Sequence, residues 1–98
     1  VLIQDRSALA AAVAVGFTLA VTLPGAGKLG GGAFMLVHHA ASGESLALDY
    51  REKAPAKAHR DLYLDKAGNV DKDKARFSHA AVGVPGTVAG LIEAHRRY

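Results

Sequence analysis

The pattern of hydrophobic and polar positions predicts a helix and a hairpin in the first half of the chain. Residues 8–23 are almost wholly apolar, and large side chains recur at four-residue spacing in two rows. This pattern predicts a core helix that is buried on several sides. Pro24 and Gly25 end the helix, because proline cannot continue its hydrogen-bond ladder. Residues 33–37 and 46–50 are strand-like and are joined by a glycine-containing link, which predicts an antiparallel hairpin.

The second half of the chain alternates between polar and short apolar segments. Residues 56–61 predict one or two helical turns, and the strongly charged residues 65–76 predict a solvated loop. Residues 80–84 predict a short buried strand. Pro85 suits the first turn of a helix, which we expect to continue over residues 87–97. The predicted order is helix, β-hairpin, loop, short strand, helix, which indicates an α+β chain.

Length and composition narrow the class of protein. The chain has 98 residues, of which 50% are hydrophobic and 21% charged, so it is one small globular domain or a piece of a larger one. The sixteen residues 8–23 are fewer than the roughly 20 that a spanning helix needs. Asp5 and Arg6 do not match the basic start of a signal peptide. We therefore expect no membrane span in this segment.

Charge and cysteine content exclude several kinds of function. The net charge is +3, but the charges of the second half alternate in sign instead of forming one basic patch with interleaved aromatic residues. This pattern argues against a nucleic-acid partner. The chain contains no cysteine, which excludes disulfides, a thiolate nucleophile and a cysteine-based metal site.

Short motifs in the chain do not predict a cofactor or a metal. Residues 25–30 match the spacing G-x-G-x-x-G, but the helix comes before them and the strand after, which is the reverse of a dinucleotide site. A close passage of backbone over another segment is the better interpretation. His38 and His39 are adjacent on a strand and point to opposite faces, so they do not predict a shared metal ion. The residues alone supply no catalytic set.

Arg51 is the one candidate binding residue. It follows the second predicted strand, on the face opposite Leu46, Leu48 and Tyr50. A guanidinium can grip a carboxylate through two parallel hydrogen bonds. The alternative is that Arg51 pairs with Asp49 or Glu52 and only holds the loop, and spacing alone favours this alternative.

Five blocks of sequence, in one order over most of residues 8–98, resemble the large subunit of γ-glutamyltranspeptidases. They are AAVAVGF at 11–17, AVTLP at 20–24, GGGAFM at 30–35, DYREKAPAKA at 49–58 and GVPGTVAG at 83–90. The resemblance implies that residues 1–98 are a fragment of a single large-subunit domain. It also implies a four-layer αββα sandwich of the N-terminal-nucleophile hydrolase type, in which the hairpin forms two adjacent strands of a central sheet.

The resemblance further implies an activity. In the family, a precursor cleaves itself, and the new N-terminal Thr of the small subunit attacks γ-glutamyl amides such as glutathione. Arg51 lines up with the family arginine that holds the α-carboxylate of the γ-glutamyl group. The expected partners are the rest of the large subunit, the small subunit and a γ-glutamyl small molecule. No metal or organic cofactor is implied, and the expected location is periplasmic or extracellular.

The chain also departs from the family pattern. Residues 5–10 read DRSALA where the family usually has a Gly-Gly-Asn-Ala-x-Asp run, so we expect a missing or altered helix cap, and Ala33 replaces a common glycine. No residue of this chain matches the catalytic Thr, and we expect the chain alone to be inactive. The alternatives are a non-enzymatic, truncated or decayed relative that acts as a packing or interaction module, and a related acylase that acts on other amides.

Overall fold

A computed structural model describes residues 7–98. In chain order its elements are α1 (Ala8–Thr22), β1 (Phe34–His39), β2 (Glu44–Asp49), α2 (Lys72–Phe77), a 3₁₀ turn (His79–Ala81) and α3 (Thr87–Arg97). The chain divides into two compact units, one made of the residues up to Glu52 together with Pro85–Tyr98, the other of Lys53–Val84. Within residues 7–98, no helix combines the length and the apolar character needed to cross a bilayer.

Helix α1 begins and ends close to the predicted positions. Ser7 is the N-cap, and its hydroxyl oxygen accepts a hydrogen bond from the backbone N–H of Ala10 at 3.3 Å. Of the expected missing or altered cap, the missing cap is therefore excluded, because a serine oxygen accepts from an otherwise unpaired N–H of the first turn. Asp5 and Arg6 lie outside the described residues. At the other end, the N–H of Leu23 still donates to the carbonyl of Leu19 at 2.9 Å, just before Pro24.

Only one side of α1 is buried in the first unit. The core cluster consists of Val13, Leu91 and Ala94, and Leu9, Phe17, Met35, Leu48 and Tyr50 pack against it. The prediction that α1 is buried on several sides is wrong for the described residues, since only α3 and the inner face of the hairpin contribute to this cluster. The second row holds Val15 and Leu19, which remain exposed, and Val21 at the end of the first row is exposed as well.

The predicted hairpin is confirmed. Strands β1 and β2 pair antiparallel, with Met35 opposite Leu48 and Val37 opposite Leu46 on the half-buried face. Four residues, 40–43, connect the strands, and Gly43 adopts a φ of 70°, which a residue without a Cβ reaches at little cost. The opposite face of the hairpin carries exposed apolar side chains, including Leu36 at 84% exposure.

In the unit Lys53–Val84, the structure differs from both the predicted loop and the predicted helical turns. Part of the predicted loop is helix α2, because the side chain of Asp71 accepts the N–H of Lys74 at 2.9 Å and caps its first turn. Residues 56–61 form no helix. Their backbone makes separate turns instead, such as the bond from the N–H of Ala58 to the carbonyl of Pro55 at 2.8 Å.

The predicted strand at residues 80–84 is also wrong. His79–Ala81 is a 3₁₀ turn, and only Val84 pairs, through an isolated antiparallel bridge with Lys53. The hydroxyl of Tyr63 donates to the carbonyl of Ala80 at 2.8 Å and so occupies a group that a strand ladder would use. The observed elements confirm the α+β class.

Candidate functional site

The backbone of Arg51 is fixed by the end of the hairpin. Tyr50, the preceding residue, donates its N–H to the carbonyl of Ala33 at 3.1 Å and accepts the N–H of Ala33 at 3.4 Å. The N–H of Arg51 donates to a carboxylate oxygen of Asp49 at 3.0 Å. The pairing of the two strands therefore extends to the residue before Arg51, and a side-chain bond orients the next peptide. Ala33 is itself exposed, so its methyl group is tolerated there.

The glycine run packs closely on other segments, as predicted. A Cβ on Gly27 would lie 2.9 Å from backbone atoms of Leu19 in α1. A Cβ on Gly32 would lie 2.6 Å from the carbonyl oxygen of Tyr50 and 2.7 Å from the Cα of Arg51. These distances are too short for a real methyl group, so both positions require glycine. The run therefore brings the backbone of residue 32 directly against the candidate site.

The start of α3 is tied to the same glycine run. The N–H groups of Gly86 and Thr87 both donate to the carbonyl of Gly31, at 3.0 and 3.1 Å. Gly31 is buried, whereas Arg51 is exposed. Three segments of the first unit therefore meet beside Arg51: the glycine run, the end of β2 and the start of α3.

The side chain of Arg51 lies over an aromatic ring. Its guanidinium carbon is 5.8 Å from the centroid of the Phe34 ring, within the range of a cation–π interaction. The alternative pairing with Asp49 or Glu52 is not found: within residues 7–98 the ion pairs are Arg60–Asp61 and Glu93–Arg97. The carboxylate of Asp49 serves the backbone of Arg51 instead. The guanidinium can therefore offer its planar set of donors to an anionic ligand.

The histidines do not form a metal centre in the described part of the chain. Nδ1 of His38 lies 2.9 Å from the hydroxyl oxygen of Ser45, its cross-strand partner. His39 pairs with Glu44 in the next register position, on the opposite face of the hairpin. No group of three or more His, Asp or Glu side chains in residues 7–98 is arranged to hold a metal ion.

The sequence predicted Arg51 as a candidate binding residue, but it did not point to Phe34. The relevant signal is the register of the hairpin, which places Phe34 directly opposite Asp49. Asp49 and Arg51 are two residues apart, so they project to the same side of an extended chain. With the register known, the stacking of Arg51 on Phe34 follows from the alternation of strand side chains. The sequence alone did not establish that register.

Comparison with known proteins identifies relatives of the whole chain. Residues 1–98 match the family model of gamma-glutamyltranspeptidase. The chain is 53% identical over 98 residues to the glutathione hydrolase proenzyme of Escherichia coli strain K12, which is 100% of this chain and 17% of that protein. It is also 36% identical over 98 residues to glutathione hydrolase 3 of Arabidopsis thaliana, covering 100% of this chain and 15% of that protein. This chain therefore spans less than one-fifth of the length of these relatives.

Solved structures extend the likeness to the fold. The structure of gamma-glutamyltranspeptidase from Helicobacter pylori superposes with a TM-score of 0.91 at 48% identity, over 99% of this chain and 28% of that chain. The enzyme from Pseudomonas nitroreducens, in a complex with L-DON, superposes with a TM-score of 0.89 at 46% identity, over 99% of this chain and 29% of that chain. The fold of this chain is therefore shared with these proteins over the residues that superpose.

Proposed function

This chain belongs to the gamma-glutamyltranspeptidase family, and we propose that it forms part of the large subunit of an enzyme that hydrolyses or transfers γ-glutamyl groups. The substrates are glutathione and related γ-glutamyl amides. The observation that carries the proposal is the guanidinium of Arg51, which is exposed, stacked on Phe34 and attached to a backbone that Asp49 orients. In this proposal Arg51 binds the α-carboxylate of the γ-glutamyl group.

The chemistry divides between this chain and the small subunit. The small subunit supplies an N-terminal Thr whose hydroxyl attacks the γ-amide carbon, while its own α-amino group takes the hydroxyl proton. That proton passes to the leaving amine, which departs and leaves a γ-glutamyl-Thr ester. Water or an amine then opens the ester. Arg51 takes no part in bond making, and its two parallel hydrogen bonds to the α-carboxylate hold the amide carbon within reach of the Thr.

We place the hairpin and the helices within a four-layer αββα sandwich. In this arrangement α1 and α3 form part of one outer layer, and β1 and β2 belong to a central sheet. The exposed apolar side chains of Phe34 and Leu36 on the outer face of the hairpin support a second layer that covers them. The remainder of the large subunit and the small subunit are the proposed partners. A periplasmic or extracellular location is proposed on the family expectation alone.

The proposal is tested on the purified full-length protein with a pair of anilides. One is γ-glutamyl-p-nitroanilide, and the other is 4-aminobutyryl-p-nitroanilide, which lacks the α-carboxylate. We expect release of p-nitroaniline from the first, and a loss of about a hundredfold or more in kcat/KM for Arg51→Ala, since the two hydrogen bonds to a charged group contribute about 1.5–3 kcal/mol each. The second substrate should react slowly and equally with both proteins.

Arg60→Ala is the matched control, because Arg60 is an exposed arginine of the other unit, 3.9 Å from Asp61. It should behave as the wild type. If the processed enzyme does not hydrolyse the γ-glutamyl anilide but hydrolyses other amides, the protein is a related acylase and this proposal is wrong. A full-length protein that hydrolyses neither would favour a non-enzymatic relative.

A further inference from the structure

We propose that Gly32, Gly86 and Gly90 form a socket around Tyr50 and thereby act as positioning residues for Arg51. The inference rests on the proposed binding role of Arg51. It adds that three separate segments of the chain pack together and fix the position of the Arg51 guanidinium. We call these three glycines the Tyr50 socket.

The socket closes on both the ring and the main chain of Tyr50. A Cβ on Gly90 would collide with the Cβ, Cγ and Cδ1 of Tyr50, and a Cβ on Gly86 would collide with its carbonyl oxygen. A Cβ on Gly32 would lie 2.6 Å from the same oxygen. The ring of Tyr50 thus lies directly against the backbone of α3, and its carbonyl lies between the glycine run and the start of that helix.

Arg51 is joined to this arrangement by one peptide bond. The Cα of Arg51 would itself be only 2.7 Å from a Cβ on Gly32. Carbon atoms in ordinary contact are about 3.5–4.0 Å apart, so any of these Cβ atoms would push the Tyr50–Arg51 segment by about 1 Å. A displacement of that size at a substrate-positioning group costs up to about a hundredfold in rate.

Gly90 shows that space is the requirement at this position. It lies in the interior of α3, where glycine weakens a helix by about 1 kcal/mol relative to alanine. Gly90 is buried, and the ring of Tyr50 occupies the place of its missing side chain. Local helix stability would favour alanine here, so the contact with Tyr50 accounts for the glycine.

Two other glycines provide matched controls. Gly30 belongs to the same run as Gly32, but a Cβ there would meet nothing within 4 Å. Gly16 lies in α1, and a Cβ there would approach the side chain of Leu91 at 3.1 Å without contacting Tyr50. Gly30→Ala therefore tests substitution in the run, and Gly16→Ala tests crowding of the core.

The experiment measures KM, kcat, subunit processing and thermal midpoint of the full-length protein with γ-glutamyl-p-nitroanilide. We expect Gly90→Ala to raise KM about tenfold or more, with a smaller change in kcat. Gly30→Ala should match the wild type. Gly16→Ala crowds Leu91 in the core and should leave KM unchanged whichever way the thermal midpoint moves, which separates a change in packing from a loss of positioning.

A double-mutant cycle with Arg51→Ala decides whether the socket acts through Arg51. If it does, Gly90→Ala causes no further loss of kcat/KM once Arg51 is absent. Additive losses would overturn the proposal while leaving the role of Arg51 intact. An Arg51→Ala enzyme with wild-type kcat/KM would instead contradict the proposed role of Arg51, so the two failures are distinguishable.

Tyr50 variants keep the proposal testable if Gly90→Ala does not fold or is not processed. Tyr50→Leu removes the ring without adding atoms to the socket, and it should raise KM in the same way and only when Arg51 is present. Tyr50→Phe keeps the ring and should retain the wild-type KM. A wild-type KM for Tyr50→Leu would overturn the proposal.

Discussion

The ring of Phe34 packs against the side chain of Arg51, with the ring centroid 5.8 Å from the guanidinium carbon. The cross-strand partner of Phe34 is Asp49, whose carboxylate accepts the backbone N–H of Arg51 at 3.0 Å. One pair of opposed residues therefore orients both the main chain and the side chain of Arg51. Each interaction is modest at an exposed position, but together they reduce the freedom that the guanidinium would lose on binding a carboxylate.

Removing the aromatic ring at position 34 should weaken substrate binding by a small factor. Cation–π interactions at exposed sites contribute about 0.5–1 kcal/mol, so Phe34→Leu in the full-length protein should raise KM for a γ-glutamyl anilide about two- to fivefold. Phe34→Tyr keeps the ring and should leave KM unchanged. Equal KM values for Phe34→Leu and the wild type would show that the ring does not orient Arg51.

The elements that the sequence predicted correctly depend on local pattern. Helix α1 and the hairpin were predictable because an apolar run stopped by Pro24, and two strands joined through Gly43, carry their own signals. The contact between Arg51 and Phe34 was not predictable in the same way, because it depends on the strand register. In the Tyr50 socket, the contact between Tyr50 and Gly90 joins residues that are forty positions apart, and no local sequence pattern predicts such a contact.

The errors in the second unit have a related cause. Residues 65–76 are rich in charge and were predicted as a loop, but one of those charges, Asp71, is the N-cap of α2. Residues 80–84 are apolar and were predicted as a strand, but the hydroxyl of Tyr63 binds the carbonyl of Ala80 and the chain turns there. Hydrophobicity alone does not distinguish a short strand from a turn whose backbone groups are satisfied by a distant side chain.

The turn that begins at Asp65 should lose stability in acid. Hydrogen bonds from the backbone N–H groups of Asn69 and Ala67, at 2.9 and 2.8 Å, lower the pKa of the Asp65 carboxyl below its ordinary value. Since the pKa is lower in the folded turn, this contribution is present above the unfolded pKa of about 3.9 and is lost as the pH falls through the folded value.

Amide hydrogen exchange of the full-length protein checks this expectation. At neutral pH, Asp65→Ala should exchange faster than the wild type at Ala67 and Asn69. The difference should disappear below the folded pKa of Asp65, after correction for the intrinsic exchange rate. Asp61→Ala, which removes only an exposed partner of Arg60, should leave these amides unchanged. Protection that persists in Asp65→Ala would exclude the carboxylate as the group that stabilises the turn.

The 98-residue chain produced alone should be marginally stable. The buried apolar core of its described residues consists of Val13, Leu91 and Ala94, while Val21 and Leu36 are 80% and 84% exposed. So small a core offsets little of the conformational entropy lost on folding. We expect a broad thermal transition by circular dichroism and binding of a hydrophobic dye, in contrast to the full-length protein. A sharp, concentration-independent transition of a dilute monomer would contradict this expectation.

Replacing Arg51 by lysine separates geometry from charge at the candidate site. Lys keeps the positive charge but presents a point donor on a flexible stem, so the two-pronged grip on an α-carboxylate is lost. In the full-length protein we expect Arg51→Lys to lower kcat/KM for γ-glutamyl-p-nitroanilide tenfold to a hundredfold, about 1.4–2.8 kcal/mol, and to leave subunit processing intact on a denaturing gel. Processing should be unaffected because it needs no bound γ-glutamyl group.

Arg60→Lys, at the exposed ion pair with Asp61, is the control and should retain wild-type kinetics. If Arg51 only braced the loop through Asp49 or Glu52, lysine would serve as well, and a correctly processed Arg51→Lys enzyme with normal kinetics would assign the residue a structural role. The bond from the Arg51 N–H to Asp49 is unaffected by the substitution, so a loss of activity reports on the guanidinium itself.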